Sequence, residues 1–150
     1  MTKILFICHG NICRSAMAKY VMLDLVRAAG RQREFEIDSA ATTNEEIGNP
    51  VYPPAARELN AHGISCKGHA AKRTTRADYD YYDRIIAMDD ENLWHLDRIY
   101  GGDPEGKVSL LMDHCGRPGQ NVADPWYTRD FSTTYADVLQ GCTALLEKLK

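Results

Sequence analysis

Basic charge is scarce in this chain. Its 18 lysines and arginines stand against 21 aspartates and glutamates, for a formal net charge of −3. A nucleic-acid footprint needs a basic face, so no nucleic-acid partner is expected. Long apolar runs are also lacking, and nothing approaches the roughly 20 residues of a membrane span. The N-terminal run Ile4-Leu5-Phe6-Ile7 is too short for the core of a signal peptide, and only Lys3 supplies charge before it. Five cysteines, an odd count at irregular spacing, do not suggest a secreted disulfide framework. A cytoplasmic protein with reduced thiols and no membrane contact is therefore expected. No repeat, linker or low-complexity segment interrupts the 150 residues. That length suits one domain, residues 1–150, with a substantial core.

Strand and helix signals alternate along the chain. Residues 3–8 read as a buried parallel strand, a continuous apolar run bounded by turn residues. Ser15–Ala29 reads as a helix with Ala18, Met22, Leu25 and Ala29 on one face and Gly30 just past its end. A short strand is expected at Phe35–Ser39. Thr42–Pro54 holds Gly48, Pro50, Pro53 and Pro54 and should be a long surface loop. A short helix follows from Pro54 to His62, and Thr75 with Asp78 forms a capping box for another. Arg84–Met88 and Val108–Met112 read as the third and fourth strands, with a helix at Glu91–Tyr100 between them. In the last helix Phe131, Tyr135, Val138, Cys142, Leu145 and Leu149 keep one face apolar. This alternation implies an α/β three-layer sandwich, a four-stranded parallel sheet with helices on both faces. Ligands in such sheets bind beyond the carboxyl ends of the strands.

That is where the most informative segment lies: Cys8-His9-Gly10-Asn11-Ile12-Cys13-Arg14-Ser15, between the first strand and the first helix. Successive N–H groups in a tight turn form an anion-binding concavity. The following helix points its positive end at the same place. Arg14 adds a planar fork for two phosphate oxygens. The same positive field favours the thiolate of Cys8, the nucleophilic form. An arginine at a helix N-terminus opposes the macrodipole unless an anion sits there. Asn11 tolerates a left-handed turn conformation, and Ser15 supplies a hydroxyl at the helix start. Cys8, His9 and Cys13 lack the spacing and the fourth ligand of a zinc site, so neither metal nor cofactor is expected.

This loop resembles that of the low molecular weight protein tyrosine phosphatases. The resemblance extends through Asp38-Ser39-Ala40-Ala41-Thr42 with Ile47-Gly48-Asn49-Pro50, through Met88-Asp89 with Glu91-Asn92, and through Asp124-Pro125-Trp126-Tyr127. It implies an enzyme that hydrolyses phosphotyrosine through a cysteinyl-phosphate, with phosphotyrosine proteins as partners and phosphate or other oxyanions held in the loop. By resemblance Cys8 is the nucleophile and Arg14 the phosphate clamp, while the loop from His9 through Gly10, Asn11, Ile12 and Cys13 to Ser15 binds phosphate. Asp124 is the general acid, then the base. Ser15 bonds the Cys8 sulfur, and Asn11 ties the loop to Ser39 and His69. Asp89 is carried over as a loop-supporting carboxylate. Trp126 and Tyr127 would wall the cleft and flank an aryl ring. Cys13 would capture an oxidised Cys8 as a disulfide. A monomer is expected.

Two departures bear on specificity. His9 stands where many members carry leucine, and Glu45, counted without gaps from Asp38, falls where many place an aromatic at the cleft rim. Alternatives remain open. Thioredoxin-linked arsenate reductases share the fold and loop but need a closely spaced resolving pair of cysteines, whereas Cys66 and Cys115 are isolated. A phosphoarginine-specific branch places a small hydroxyl residue where this chain has Ile12, and an aliphatic side chain there favours an aryl phosphate. A catalytically dead phosphotyrosine-binding module would not need nucleophile, arginine and acid together.

Overall fold

A computed structural model describes residues 1–149. Strand β1 (Thr2–Cys8) lies inside a sheet whose other strands are β2 (Phe35–Ala41), β3 (Arg84–Ala87) and β4 (Val108–Leu110). The order is β2-β1-β3-β4 and every pairing is parallel. In β1 the run Ile4, Leu5, Phe6 and Ile7 is wholly buried. A strand with neighbours on both edges and helices on both faces has no solvent side, which is why this segment reads as continuous rather than alternating. Each such side chain contributes about 1.5–3 kcal/mol through burial.

The pleat divides the core. Ile4, Phe6 and Cys8 face one layer, built on α1 (Arg14–Ala28), α2 (Pro53–Ala61) and α6 (Phe131–Lys148). Leu5 and Ile7 face the other, where Tyr79 and Tyr82 come from α3 (Arg76–Tyr81) and the residue after it, and Leu96 and Tyr100 from α4 (Asp90–Tyr100). The chain leaves β1 towards β2 through α1, then crosses back to β3. The carboxyl end of β1 is therefore the switch point of the sheet, and Cys8 occupies it.

Most expected elements form, with shifted ends. Helix α1 buries Ala18, Met22 and Val26, whereas Leu25 is half-buried and Ala29 exposed. The packed ridge is an i, i+4 row, which inclines to the helix axis and carries the apolar stripe away from Ala29. Gly30 ends this helix at φ 69°, a left-handed position where glycine meets no steric penalty. The Asp78 carboxylate accepts the Thr75 N–H at 3.1 Å, starting α3 as its sequence suggests. The fourth strand is shorter than expected. After Leu110 the chain leaves the sheet in a 3-10 turn, Leu111–Cys115, because Leu111 and Met112 are buried against α6 instead. A fifth helix, α5 (Pro125–Thr128), follows directly on Asp124 and is too short for periodicity to reveal. No helix among the described residues is long and apolar enough to cross a membrane.

Helix α6 approaches the Leu111 turn closely at Gly141. A Cβ there would lie 2.4 Å from Leu111 Cγ, far inside van der Waals contact. Gly141→Ala should therefore destabilise the protein by about 1–3 kcal/mol through overpacking, although alanine is the better helix former by about 1 kcal/mol. Urea denaturation measures the sign, and a raised midpoint would contradict the packing described.

Candidate active site

The turn after β1 wraps around the Cys8 sulfur. Asn11 N–H donates to Cys8 Sγ at 3.3 Å and Ser15 Oγ lies 3.0 Å from it. The wrap depends on Asn11, which is wholly buried with φ 61°, a conformation asparagine adopts more readily than other non-glycine residues. Its side-chain amide donates to Ser15 Oγ and Ser39 Oγ, both at 2.9 Å, and its Oδ1 accepts the Lys72 N–H at 3.1 Å. His69 donates from Nε2 to the Asn11 carbonyl at 2.7 Å. Burial holds the His69 pKa below the ordinary histidine value, although the Asn11 carbonyl pulls the other way. The imidazole is thus neutral, with its proton on Nε2. His69 braces the loop through its backbone, while Ser39 braces it through the Asn11 side chain.

Gly10 lets the loop approach the segment after β2, since a Cβ would meet Glu46 Cγ at 3.3 Å. Cys13 lies at the start of α1 and is buried. Burial first, then the charges of Cys8 and Asp124, push its pKa up to about 12, so it is a thiol near neutral pH.

Arg14 opens α1 and is only 3% exposed. A buried guanidinium needs partners, and it has three. Nη1 donates to Asp89 Oδ2 at 2.6 Å and to the Val122 carbonyl at 3.1 Å, and Nη2 faces Asp124 Oδ2 at 3.4 Å. Burial works against its charge, but Cys8, Asp89 and Asp124 outweigh burial and raise its pKa above the ordinary arginine value. Asp89 has a second task. Its Oδ1 accepts the Asn92 N–H at 2.8 Å and caps α4, while Asn92 Oδ1 accepts the backbone N–H groups of Met88 and Asp89. Asp124 likewise caps α5, its Oδ1 accepting the Trp126 N–H at 3.0 Å. One oxygen of each carboxylate fixes a helix start and the other points to Arg14.

These groups line a cleft of about 400 Å³, within the usual range for a small-ligand site. Cys8, Ile12, Cys13 and Arg14 form its floor side, and Trp126 and Tyr127 one wall. Neither aromatic belongs to the core, since Trp126 is 44% and Tyr127 82% exposed. Trp126 leans on Tyr52 with ring centroids 4.9 Å apart, and Arg129, whose guanidinium carbon lies 5.5 Å above the Trp126 ring, bonds the Tyr52 hydroxyl at 3.1 Å. Glu45 does reach the rim, where its carboxylate bonds His9 Nε2. The sequence names Glu91 and Asn92 within a segment of the resemblance but assigns them no place at the cleft, and it gives no sign of Glu46 or the Val122 carbonyl. The Asp89-x-x-Asn92 cap was a usable signal for Glu91, because it places that residue in the first turn of α4, beside the cleft.

Fold and site together define a class: a doubly wound α/β protein that presents a Cys-x5-Arg loop at its switch point. Comparison with known proteins narrows this. The family model of low molecular weight phosphotyrosine protein phosphatase matches residues 3–150, and the chain belongs to that family. It is 34% identical over 151 residues to the low molecular weight protein-tyrosine-phosphatase YfkJ of Bacillus subtilis, covering 100% of this chain and 97% of that protein. With the low molecular weight phosphotyrosine protein phosphatase of Gallus gallus it shares 37% identity over 149 residues, 97% of this chain and 94% of the relative. The YfkJ crystal structure superposes with a TM-score of 0.95, covering 99% of this chain and 94% of that one, at 35% identity. A structure titled DARP, drosophila arginine phosphatase, superposes at 0.91, covering 99% and 98%, at 28% identity.

His69 and His114 both have lowered pKa values, in each case chiefly through burial. Below an ordinary histidine pKa of about 6.5 the unfolded chain binds protons that these neutral rings refuse. Their contribution to stability is present above that pH and is lost as pH falls towards the folded values. Unfolding free energy should therefore rise with pH through the upper part of that window, and His69→Gln should flatten the slope, leaving the share due to His114. Denaturant midpoints measured across the window test this, and an unchanged slope in His69→Gln would contradict it.

Proposed function

We propose that this chain hydrolyses phosphotyrosine in proteins, and small aryl phosphates, through a cysteinyl-phosphate intermediate. The observation that carries the reading is the convergence of Cys8, Arg14 and Asp124 in one cleft, with the acid 3.4 Å from the guanidinium. A phosphate dianion would lie against the N–H groups of residues 9–15 and the remaining donors of Arg14. Cys8 Sγ attacks phosphorus in line as the tyrosyl oxygen leaves. Asp124 gives that oxygen its proton. In the second step Asp124 takes a proton from water, which attacks phosphorus and displaces the Cys8 sulfur, releasing inorganic phosphate. Ser15 and Asn11 stabilise the sulfur as it departs. Asp89 and the Val122 carbonyl keep Arg14 aimed, which costs no reorganisation when charge develops. Trp126 and Tyr127 hold the aryl ring. Every participating residue comes from one chain, so a monomer suffices. The five free cysteines agree with a cytoplasmic setting.

The apolar Ile12 in the cleft floor favours an aryl ring over a guanidino group. Cys66 and Cys115 lie outside the cleft lining, so an arsenate-reducing cysteine relay is not favoured. The deciding experiment is a panel of phosphotyrosine, phosphoserine and phosphoarginine peptides with one activated aryl phosphate. Phosphotyrosine and aryl phosphate should be turned over and Cys8→Ser should abolish both. Asp124→Ala should slow phosphotyrosine by about 10²–10⁴-fold but the aryl phosphate, with its acidic leaving group, much less. Equal slowing would place the acid elsewhere, and a preference for phosphoarginine would replace the reading.

The same loop supports a redox role. Peroxide would oxidise Cys8 to a sulfenic acid, and the Cys13 sulfur would displace water to give a disulfide that thiols reduce. Because Cys13 stays protonated near neutrality, disulfide formation should accelerate from pH 7 to 9, and Cys13→Ser should be irreversibly inactivated by peroxide. Peptide mapping of inactivated protein checks the pairing, and a Cys8 bond to another cysteine would refute it.

A further inference from the structure

Above the reacting groups, the cleft mouth carries a charge arrangement that hydrolysis itself does not require. His9 is the first residue after the nucleophile, and the Thr43 hydroxyl donates to its carbonyl at 3.0 Å. Its imidazole projects to the rim, where Nε2 bonds the Glu45 carboxylate and Nδ1 lies 3.9 Å from Glu91. Those carboxylates come from separate elements, the segment between β2 and α2 and the first turn of α4. Glu46 completes the acidic rim. Deeper in the cleft, Asp89 and Asp124 are engaged by Arg14, and Cys8 and Cys13 lie beside them. Residues flanking a phosphotyrosine would meet the outer ring, Glu45, Glu46, Glu91 and His9. With His9 protonated the ring carries three carboxylates against one cation. With His9 neutral, Nε2–H still serves Glu45, but the Nδ1 lone pair faces Glu91 and no longer offsets its charge. The rim is acidic in both states, and more so when the proton is gone.

We propose that His9, held between Glu45 and Glu91, is a specificity-determining residue that sets the rim charge, so that the cleft selects phosphotyrosine flanked by lysine and arginine, increasingly as pH rises. This rests on the phosphotyrosine reading above. Imidazole changes charge between roughly pH 5 and 8, whereas the flanking lysines, arginines, aspartates and glutamates of a test peptide keep theirs over most of that window. Screening at an exposed rim keeps the effect modest. Glu91 also faces a second imidazole, His95, whose Nε2 lies 3.7 Å from its carboxylate.

The test compares kcat/KM of the full chain for two phosphotyrosine peptides that differ only in flanking charge, from about pH 5.5 to 8. The ratio cancels the ionisation of the catalytic groups, and referring each kcat/KM to the dianion fraction of its own peptide removes the difference in phosphate ionisation that the flanking charges cause. The basic peptide should be preferred throughout, with the ratio rising several-fold over the range and shrinking at high salt. In His9→Leu the ratio should be high and flat, because the carboxylates are unmatched at every pH. Glu91→Gln should lower it, and His95→Gln should behave as the parent. A flat ratio in the parent overturns the proposal, as does a slope that survives in His9→Leu and disappears in His95→Gln. Turnover of neither peptide, with phosphoarginine hydrolysed instead, would overturn the phosphotyrosine reading.

Discussion

The guanidinium of Arg14 is a full charge placed in the interior of the protein, and much of the cleft follows from the need to compensate it. An unpaired buried charge costs several kcal/mol. Here the charge is met by a carboxylate at the start of α4, another at the start of α5 and a backbone carbonyl between them. Those partners come from segments far apart in the chain, so satisfying Arg14 draws the end of β3 and the segment Val122–Asp124 onto the start of α1. Each carboxylate also caps its own helix, which leaves little freedom for either oxygen. The proposed acid is therefore positioned by an electrostatic constraint and a helix start at once.

The second constraint is the bend of the loop itself. A left-handed Asn11 exchanges ordinary backbone comfort for four hydrogen bonds made by its side chain and carbonyl, to Ser15, Ser39, Lys72 and His69. These partners sit on α1, on β2 and in the segment before α3. The curvature that brings the Asn11 N–H onto the Cys8 sulfur is thus held from three directions. A preorganised cradle of this kind is what electrostatic stabilisation of a transferring phosphoryl group demands.

The outer cleft obeys looser rules. Trp126 and Tyr127 are largely exposed, and the wall they form is backed by Tyr52 and by Arg129, which holds a left-handed backbone at the end of α5. Glu45 and His9 are rim residues with solvent on one side. Contacts there are weak individually and screened by salt. Substitution at the rim can therefore change which substrate is taken without disturbing the buried machinery beneath.

The amino-acid sequence by itself determined the alternation of strand and helix, the buried central strand ending at Cys8, and the spacing that puts an arginine at the next helix start. These are local properties, written in runs of apolar residues, turn residues and caps. The resemblance carried the rest of the proposed machinery, residue by residue. What only the tertiary structure decided were the partners supplied by distant segments: the Val122 carbonyl on Arg14, Glu91 beside His9, and His69 acting through the Asn11 backbone rather than its side chain. The tertiary structure also cut short the fourth strand, because Leu111 and Met112 leave the sheet to be buried against α6. Periodicity reports which face of an element is apolar, but not which other element will cover it or where a packing demand ends it. Hydrogen bonds between segments 60–110 residues apart, such as the one Asn11 accepts from Lys72 and the one Arg14 donates to Asp124, exist only once the sheet has brought its strand ends to one edge.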